Sequence, residues 1–292
     1  MSLSSARPKT SSEAPPLPGT SEEVPALALR GVTCRFARPD GGESYTAVAN
    51  VTLLVRPGEF VSVVGPTGCG KSTLLNVAAG LLAPSSGEVE VFGEPLHYER
   101  GVNTRAGYMF QADALMPWRS GVQNVLAGLQ FRGVAHREAV QLAQDWLRRV
   151  GLAGFGDRYP HQMSGGMRKR LAMAQTLILN PDILLMDEPF SALDVQTRQL
   201  MENELLALWA ENRKSVIFIT HDLEEAISLS DRVVVMSAGP ASHPIGEFPI
   251  DLARPRDVSE VRMTPAFSKL YREIWDTMKE EVLKAYARQK AG

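Results

Sequence analysis

Cysteine is nearly absent: Cys34 and Cys69 are the only two in 292 residues. Cys69 stands in a glycine-rich stretch where a disulfide would obstruct close approach of the backbone to a ligand, so a reducing compartment is expected. Long apolar runs are also missing. The longest, such as Ile183–Met186 and Val216–Ile219, are strand-sized and fall far short of the ~20 residues that span a bilayer. The N-terminus holds no continuous apolar segment of the secretory kind. The chain is therefore expected to be soluble and intracellular, and to reach a membrane only through a partner. Neither sign of charge dominates: 31 Lys and Arg against 33 Asp and Glu leave −2, so nothing points to nucleic acid. No internal repeat or long heptad pattern is visible. What is present is an apolar fraction of 44%, enough for a full core.

The most informative stretch is Gly65-Pro66-Thr67-Gly68-Cys69-Gly70-Lys71-Ser72-Thr73, which fits G-x-x-x-x-G-K-[ST] at every defined position. It follows a run rich in β-branched residues, Phe60–Val64, and precedes the helix-like Leu74–Ala79. Strand, loop and helix in that order are the context in which the motif cradles phosphate. Its glycines let successive N–H groups turn inward, and the helix N-terminus adds partial positive charge. Lys71 is expected to reach the β- and γ-phosphates of a nucleoside triphosphate, and the Ser72 hydroxyl to take a position on Mg²⁺.

A second constellation lies at Ile183-Leu184-Leu185-Met186-Asp187-Glu188, an apolar strand ending in adjacent carboxylates. Consecutive strand residues project in different directions, so two roles are natural: Asp187 toward Mg²⁺ through water, Glu188 toward the water that attacks the γ-phosphate. Ser164-Gly165-Gly166 opens another helix with a capping serine and two glycines that leave its amides free to approach an anion. The basic Arg168-Lys169-Arg170 after it reads as a solvated face. His221 closes the strand Val216–Ile219 and Thr220, where an imidazole can contact the γ-phosphate or position Glu188.

Along the chain, residues 1–25 are rich in Ser, Pro, Thr and Glu and read as a disordered extension. From Leu27 to Val55 the alternation suggests two strands joined at Pro39-Asp40-Gly41-Gly42. Pro84–Gly87 reads as a turn before a half-exposed strand, Glu88–Val91. Residues 122–178 read as mostly helical, with Ala139–Val150 the clearest amphipathic segment. Strand-then-helix units follow at Ile183–Met186 and Val216–Ile219, with a last strand at Arg232–Met236, which implies a mainly parallel, helix-flanked sheet. Beyond Arg254-Pro255-Arg256-Asp257 a helix or helix pair spans Pro265–Ala287, with Phe267, Leu270, Trp275 and Met278 as its apolar stripe.

Taken in order, these elements resemble the nucleotide-binding subunit of ATP-binding cassette (ABC) transporters over residues 26–250. The resemblance implies an α/β P-loop NTPase of ABC type: a mainly parallel core sheet, an antiparallel β subdomain and a helical subdomain inserted at about residues 112–178, with 251–292 as a helical C-terminal extension. Gly65–Thr73 resembles the Walker A loop, with Gly65, Pro66, Thr67, Gly68, Cys69, Gly70, Lys71, Ser72 and Thr73 around ATP. Ile183–Glu188 resembles Walker B, Ser191-Ala192-Leu193-Asp194 the D-loop, and His221 the switch histidine. Gln111 resembles the Q-loop glutamine that senses Mg²⁺ and the membrane subunit. Met163-Ser164-Gly165-Gly166-Met167 is similar to the signature Leu-Ser-Gly-Gly-Gln, departing at its first and last positions. As in the family, this signature would close over ATP held by a second copy, so that a homodimer forms two sites. The aromatic that stacks adenine is expected at Phe36, with Tyr45 the runner-up. Asp113–Arg119 and Arg254–Asp257 are similar to importers of nitrate, sulfonates and taurine. That likeness implies permease partners docking near Pro117 and Trp118, a periplasmic binding protein acting indirectly, and a place on the cytoplasmic face of the inner membrane. The rival readings are an ABC ATPase outside transport and a regulatory module that binds nucleotide without turnover. The first would need a long coiled-coil insertion or tandem cassettes, and the second sits poorly with Glu188 and His221.

Overall fold

A computed structural model describes residues 24–37 and 44–291. The expected turn at Pro39–Gly42 and nearly all of the N-terminal extension lie outside the described residues.

Three short strands, β3 (Phe60–Val64), β7 (Ile183–Asp187) and β8 (Ser215–Ile219), are buried along almost their whole length. Such uninterrupted apolar runs suit strands covered on both faces by helices. With β6 (Ala106–Met109), β9 (Arg232–Met236) and β10 (Pro244–Pro249) they form a six-stranded sheet of order β10-β9-β3-β8-β7-β6. Every pairing is parallel except β10 with β9. The second sheet is antiparallel, of order β2-β1-β4-β5: β1 is Leu27–Phe36, β2 Tyr45–Val55, β4 Ser86–Val91 and β5 Glu94–Pro95. The alternation of buried Val51, Leu53 and Val55 with exposed Thr52 and Leu54 shows that one face of β2 meets the core and the other meets water.

Helix α1 (Lys71–Ala78) packs between the two sheets, where Leu74, Leu75 and Val77 join Leu29, Val48, Val63 and Ile217 in one core. Between β6 and β7 the chain forms α2 (Gly121–Phe131), α3 (His136–Arg149) and α4 (Gly165–Leu177), which share a core of their own around Leu126, Leu147 and Leu171. On the opposite face of the parallel sheet, α5 (Val195–Asn212) covers β7 and β8 through Met201, Leu205 and Trp209. Helices α6 (Leu223–Leu229), α7 (Val258–Val261) and α8 (Pro265–Ala291) complete the fold. Asp222 caps α6 and Asp257 caps α7 through main-chain amides.

Two details differ from the sequence expectation. The C-terminal segment takes the single-helix form of the two expected, and Phe267, Leu270 and Met278 of the expected stripe pack with Ile274 on Val64, Val233 and Val235. Trp275 is 40% exposed instead, because one residue beyond Ile274 lies about 100° around a helix. Strands β6 and β10 also carry no strong sequence signal. In β6 a side chain at position 107 would meet the Pro181 ring at 2.8 Å and the Thr176 methyl at 2.9 Å, so close packing requires Gly107 there.

Glu202 on α5 is fully buried, and Arg262 Nη2 donates to its two oxygens at 3.2 and 2.9 Å. Burial outweighs the Arg262 attraction and pushes the Glu202 carboxyl up from 4.5 to about 7. The folded state then holds a proton that the unfolded chain releases, so stability present at acid pH is lost as pH rises through about 7, on the order of 3 kcal/mol. Thermal melts between pH 5 and pH 8 are expected to show a falling midpoint, and Glu202→Gln to flatten the fall.

Candidate active site

The loop between β3 and α1 is shaped by its own backbone. Gly70 stands at φ 94° as the cap of α1, and a Cβ there would lie 2.6 Å from Val48 Cγ1 on β2. Only glycine meets both the left-handed conformation and the close approach. Lys71 is buried, and its ammonium donates to the carbonyls of Gly65 at 2.8 Å and Pro66 at 3.1 Å. It is thus held inside the loop, poised over the space the loop encloses. Cys69 is buried and unpaired, and burial pushes its thiol up, so it is an inert packing residue against Gly65.

The carboxyl end of β7 meets this loop directly. Ser72 Oγ donates to Asp187 Oδ1 at 3.0 Å. Burial raises the Asp187 carboxyl above its ordinary value, and the Ser72 hydroxyl opposes that rise. Glu188 follows at φ 43°, in the left-handed region, with its amide donating to Ile219 on β8 at 2.9 Å. This turn swings the Glu188 side chain away from that of Asp187. Its Oε2 accepts from Gln111 Nε2 at 3.4 Å and lies 3.1 Å from His221 Nδ1. Three segments far apart in sequence, ending β6, β7 and β8, therefore converge on one carboxylate. That convergence at the carboxyl ends of parallel strands is where open α/β sheets place ligands.

A cleft of about 460 Å³ opens here, lined by Phe36, Tyr45, Ala47, Thr67, Gly68, Gly70, Lys71, Ser72, Thr73, Gln111, Glu188 and His221. Phe36 and Tyr45 are direct partners across β1 and β2, so both candidate adenine platforms stand at the same wall. The donors near Asp187 are hydroxyl, carboxylate and amide oxygens, the hard set that Mg²⁺ takes. No group of three or more His, Cys, Asp or Glu suited to a metal occurs among the described residues. One or two carboxylates plus phosphate oxygens is the usual way a protein holds Mg²⁺, so the residues fit that ion when nucleotide is bound.

Ser164, Gly165, Gly166 and Asp194 do not line this cleft. Ser164 caps α4, its Oγ accepting from the Met167 amide at 3.3 Å, and Met163 is buried in the α2–α4 core. Asp194 caps α5 through the Thr197 amide, which holds its carboxyl below the ordinary value.

The basic residues after Gly166 are not a solvated face. Lys169 is 2% exposed and bonded to Gln111 and Asp113, and Arg168 and Arg170 are engaged by Asp113 and Glu204. Arg198 was not a sequence candidate, yet it links the carbonyl of Leu193 at 3.2 Å to Asp222, next to His221, at 3.1 Å. Only contacts across the fold reveal it.

A family model described as ABC transporter matches residues 48–191. An uncharacterized ABC transporter ATP-binding protein of Methanocaldococcus jannaschii is 44% identical over 245 residues, 84% of this chain and 88% of its own length. A taurine import ATP-binding protein of Jannaschia sp. is 40% identical over 263 residues, 88% of this chain and 96% of its own. Among solved structures, a dimeric ATP-binding cassette in a post-hydrolysis state bound to ADP and Pi superposes with a TM-score of 0.69. It is 31% identical and covers 78% of this chain and 100% of its own.

Proposed function

Because the chain belongs to the ABC transporter family of ATP-binding proteins, we propose that its cleft is half of an ATP site completed by the Ser164–Gly166 turn of a second copy. The chain is the ATPase subunit of an ABC importer. The observation that carries the site assignment is the meeting of Lys71, Ser72, Glu188, Gln111 and His221 at one cleft, with Asp187 bonded to Ser72, while the Ser164 turn and Asp194 are absent from it.

In this reading the loop amides and Lys71 grip the triphosphate, and Phe36 or Tyr45 stacks the adenine. Ser72 and Gln111 would hold Mg²⁺ directly and Asp187 through water; the ion neutralises charge on the phosphate oxygens. Glu188 takes the proton of the attacking water while His221 keeps that carboxylate in place. The amides at the start of the second copy's α4 face the γ-phosphate, and its Asp194 lies beside them. Binding of two ATP closes the pair, and hydrolysis reopens it.

Docking to membrane permeases falls to the segment after Gln111, where Trp118 is 73% exposed and Pro117 stands in the turn that presents it. No helix among the described residues is long and apolar enough to cross a membrane, so the passage belongs to the permease. This assembly places the chain at the cytoplasmic face of the inner membrane. The proposed solute is nitrate, a sulfonate, taurine or a similar small molecule, delivered by a periplasmic binding protein; relatives named for taurine import support that class. The test is the ATPase rate of the chain assembled with its permease in vesicles. Taurine, an alkanesulfonate or nitrate, supplied with the binding protein, is expected to raise the rate several-fold. No response to any of the three would overturn the solute class.

A further inference from the structure

Lys169 is no surface residue: its ammonium is buried, donates to the Gln111 carbonyl at 2.6 Å and lies 3.1 Å from Asp113 Oδ1. Arg168 Nε donates to the other oxygen of Asp113 at 3.0 Å, and its Nη1 donates to the Met163 carbonyl at 2.8 Å. Adjacent residues at the start of α4 thus hold both oxygens of one carboxylate, the main chain just before Ser164, and the main chain of Gln111. Charge-assisted bonds of this kind are short and directional. A buried ammonium that lost these partners would be left as an uncompensated charge, at a large cost.

Gln111 is consequently gripped from behind while its side chain faces the cleft and donates to Glu188 at 3.4 Å. The Lys169 bond to its carbonyl therefore ties the main chain of Gln111 to α4. We propose that Lys169, with Arg168 and Asp113, is a positioning residue that locks Gln111 to the helix carrying the Ser164 turn. The reach of Gln111 toward Mg²⁺-nucleotide is then set by where that helix stands. The inference rests on the reading of Gln111 as the residue facing Mg²⁺. In a dimer it has a direct consequence. The α4 that seats against one copy's nucleotide carries Gln111 of its own chain's site, so seating at one site orders the metal contact at the other. Coupling of this sort is a differential interaction transmitted through a continuous set of contacts.

The experiment measures equilibrium affinity for trinitrophenyl-ATP with Mg²⁺ and in excess EDTA, and takes the ratio of the two. Gln111→Ala removes the metal-facing side chain. Lys169→Met removes the grip on the Gln111 carbonyl and leaves Asp113 neutralised by Arg168. Lys169→Gln keeps a donor at that position. Gln111→Ala and Lys169→Met are both expected to lower the Mg²⁺ advantage about fivefold or more, to leave the EDTA affinity within about twofold, and Lys169→Gln to restore the advantage. Should Lys169→Met not fold, Asp113→Asn keeps the shape and weakens the same grip, and a fall in the ratio is again expected. An unchanged ratio in Lys169→Met, or in Asp113→Asn where that serves, overturns the positioning role if Gln111→Ala lowers it. An unchanged ratio in Gln111→Ala overturns instead the reading of Gln111 on which the inference rests. Equal losses with and without Mg²⁺ in Lys169→Met mark a general structural defect and also overturn it.

Discussion

Glu188→Gln is expected to bind ATP with near-native affinity and to lose about 10²–10⁴-fold in turnover, the range a positioned general base contributes. The substitution keeps the length of the side chain and its place between Gln111 and His221, which approach Glu188 Oε2 at 3.4 and 3.1 Å. It removes the one carboxylate that lines the cleft, since Asp187 is turned to Ser72 at 3.0 Å and is not part of the cleft wall. The binding contacts of Lys71 and the loop amides are untouched. An affinity unchanged with kcat lost is the pattern of a group that acts only in the transition state. Because hydrolysis reopens the proposed dimer, the variant should also accumulate as an ATP-bound dimer by light scattering, which the native chain does only transiently. Native-like turnover in Glu188→Gln would sink the assignment of Glu188 as the base. His221→Ala tests the same arrangement from the other side: a fall in turnover with little change in ATP affinity is expected, since the imidazole touches the base at 3.1 Å.

What the sequence made legible was local. The phosphate loop, its strand and its helix lie within Phe60–Ala78, and each needs only its neighbours to be recognised. Buried strands β7 and β8 were legible for the same reason, since a short apolar run such as Val216–Ile219 suits a strand covered on both faces. Relations across the fold were not. Lys169 in a basic run reads as exposed, and its burial depends on Gln111, 58 residues earlier, supplying a carbonyl for it. Trp275 looked like part of the α8 stripe by composition, whereas the helix presents Ile274 because its neighbours are Val233 and Val235. β10 is bounded by Pro244 and Pro249 and half-exposed along its length, so it lacks both apolar continuity and strong alternation; pairing with β9 is what makes it a strand. Phe36 and Tyr45 share one wall of the cleft. The two residues are opposite each other in register, and both reach the cleft.

The half-site reading makes its sharpest prediction with two defective chains. Lys71→Ala removes the ammonium that sits 2.8 Å from the Gly65 carbonyl inside the loop, so nucleotide binding itself should weaken and hydrolysis should fail. Gly165→Asp damages the other half. The nearest atoms to a Cβ at position 165 are Arg168 Nη2 at 3.9 Å and Leu193 Cδ2 at 4.0 Å, so the side chain fits without moving α4. At a helix N-terminus facing phosphate it replaces an attractive field with an anion. Each variant alone pairs a bad half with a good half at both sites and should be inactive. Mixed equally, they form heterodimers in which one site has both defects and the other has neither, so up to about one quarter of native activity should return. Gly166→Asp would be a poorer partner in this test, because a Cβ there meets Thr197 Cγ2 at 2.7 Å and would disturb α5 as well. If the loop and the Ser164 turn served the same nucleotide within one chain, every mixed pair would still hold one defect per site. Mixing would then recover nothing, and the composite site would have to be abandoned.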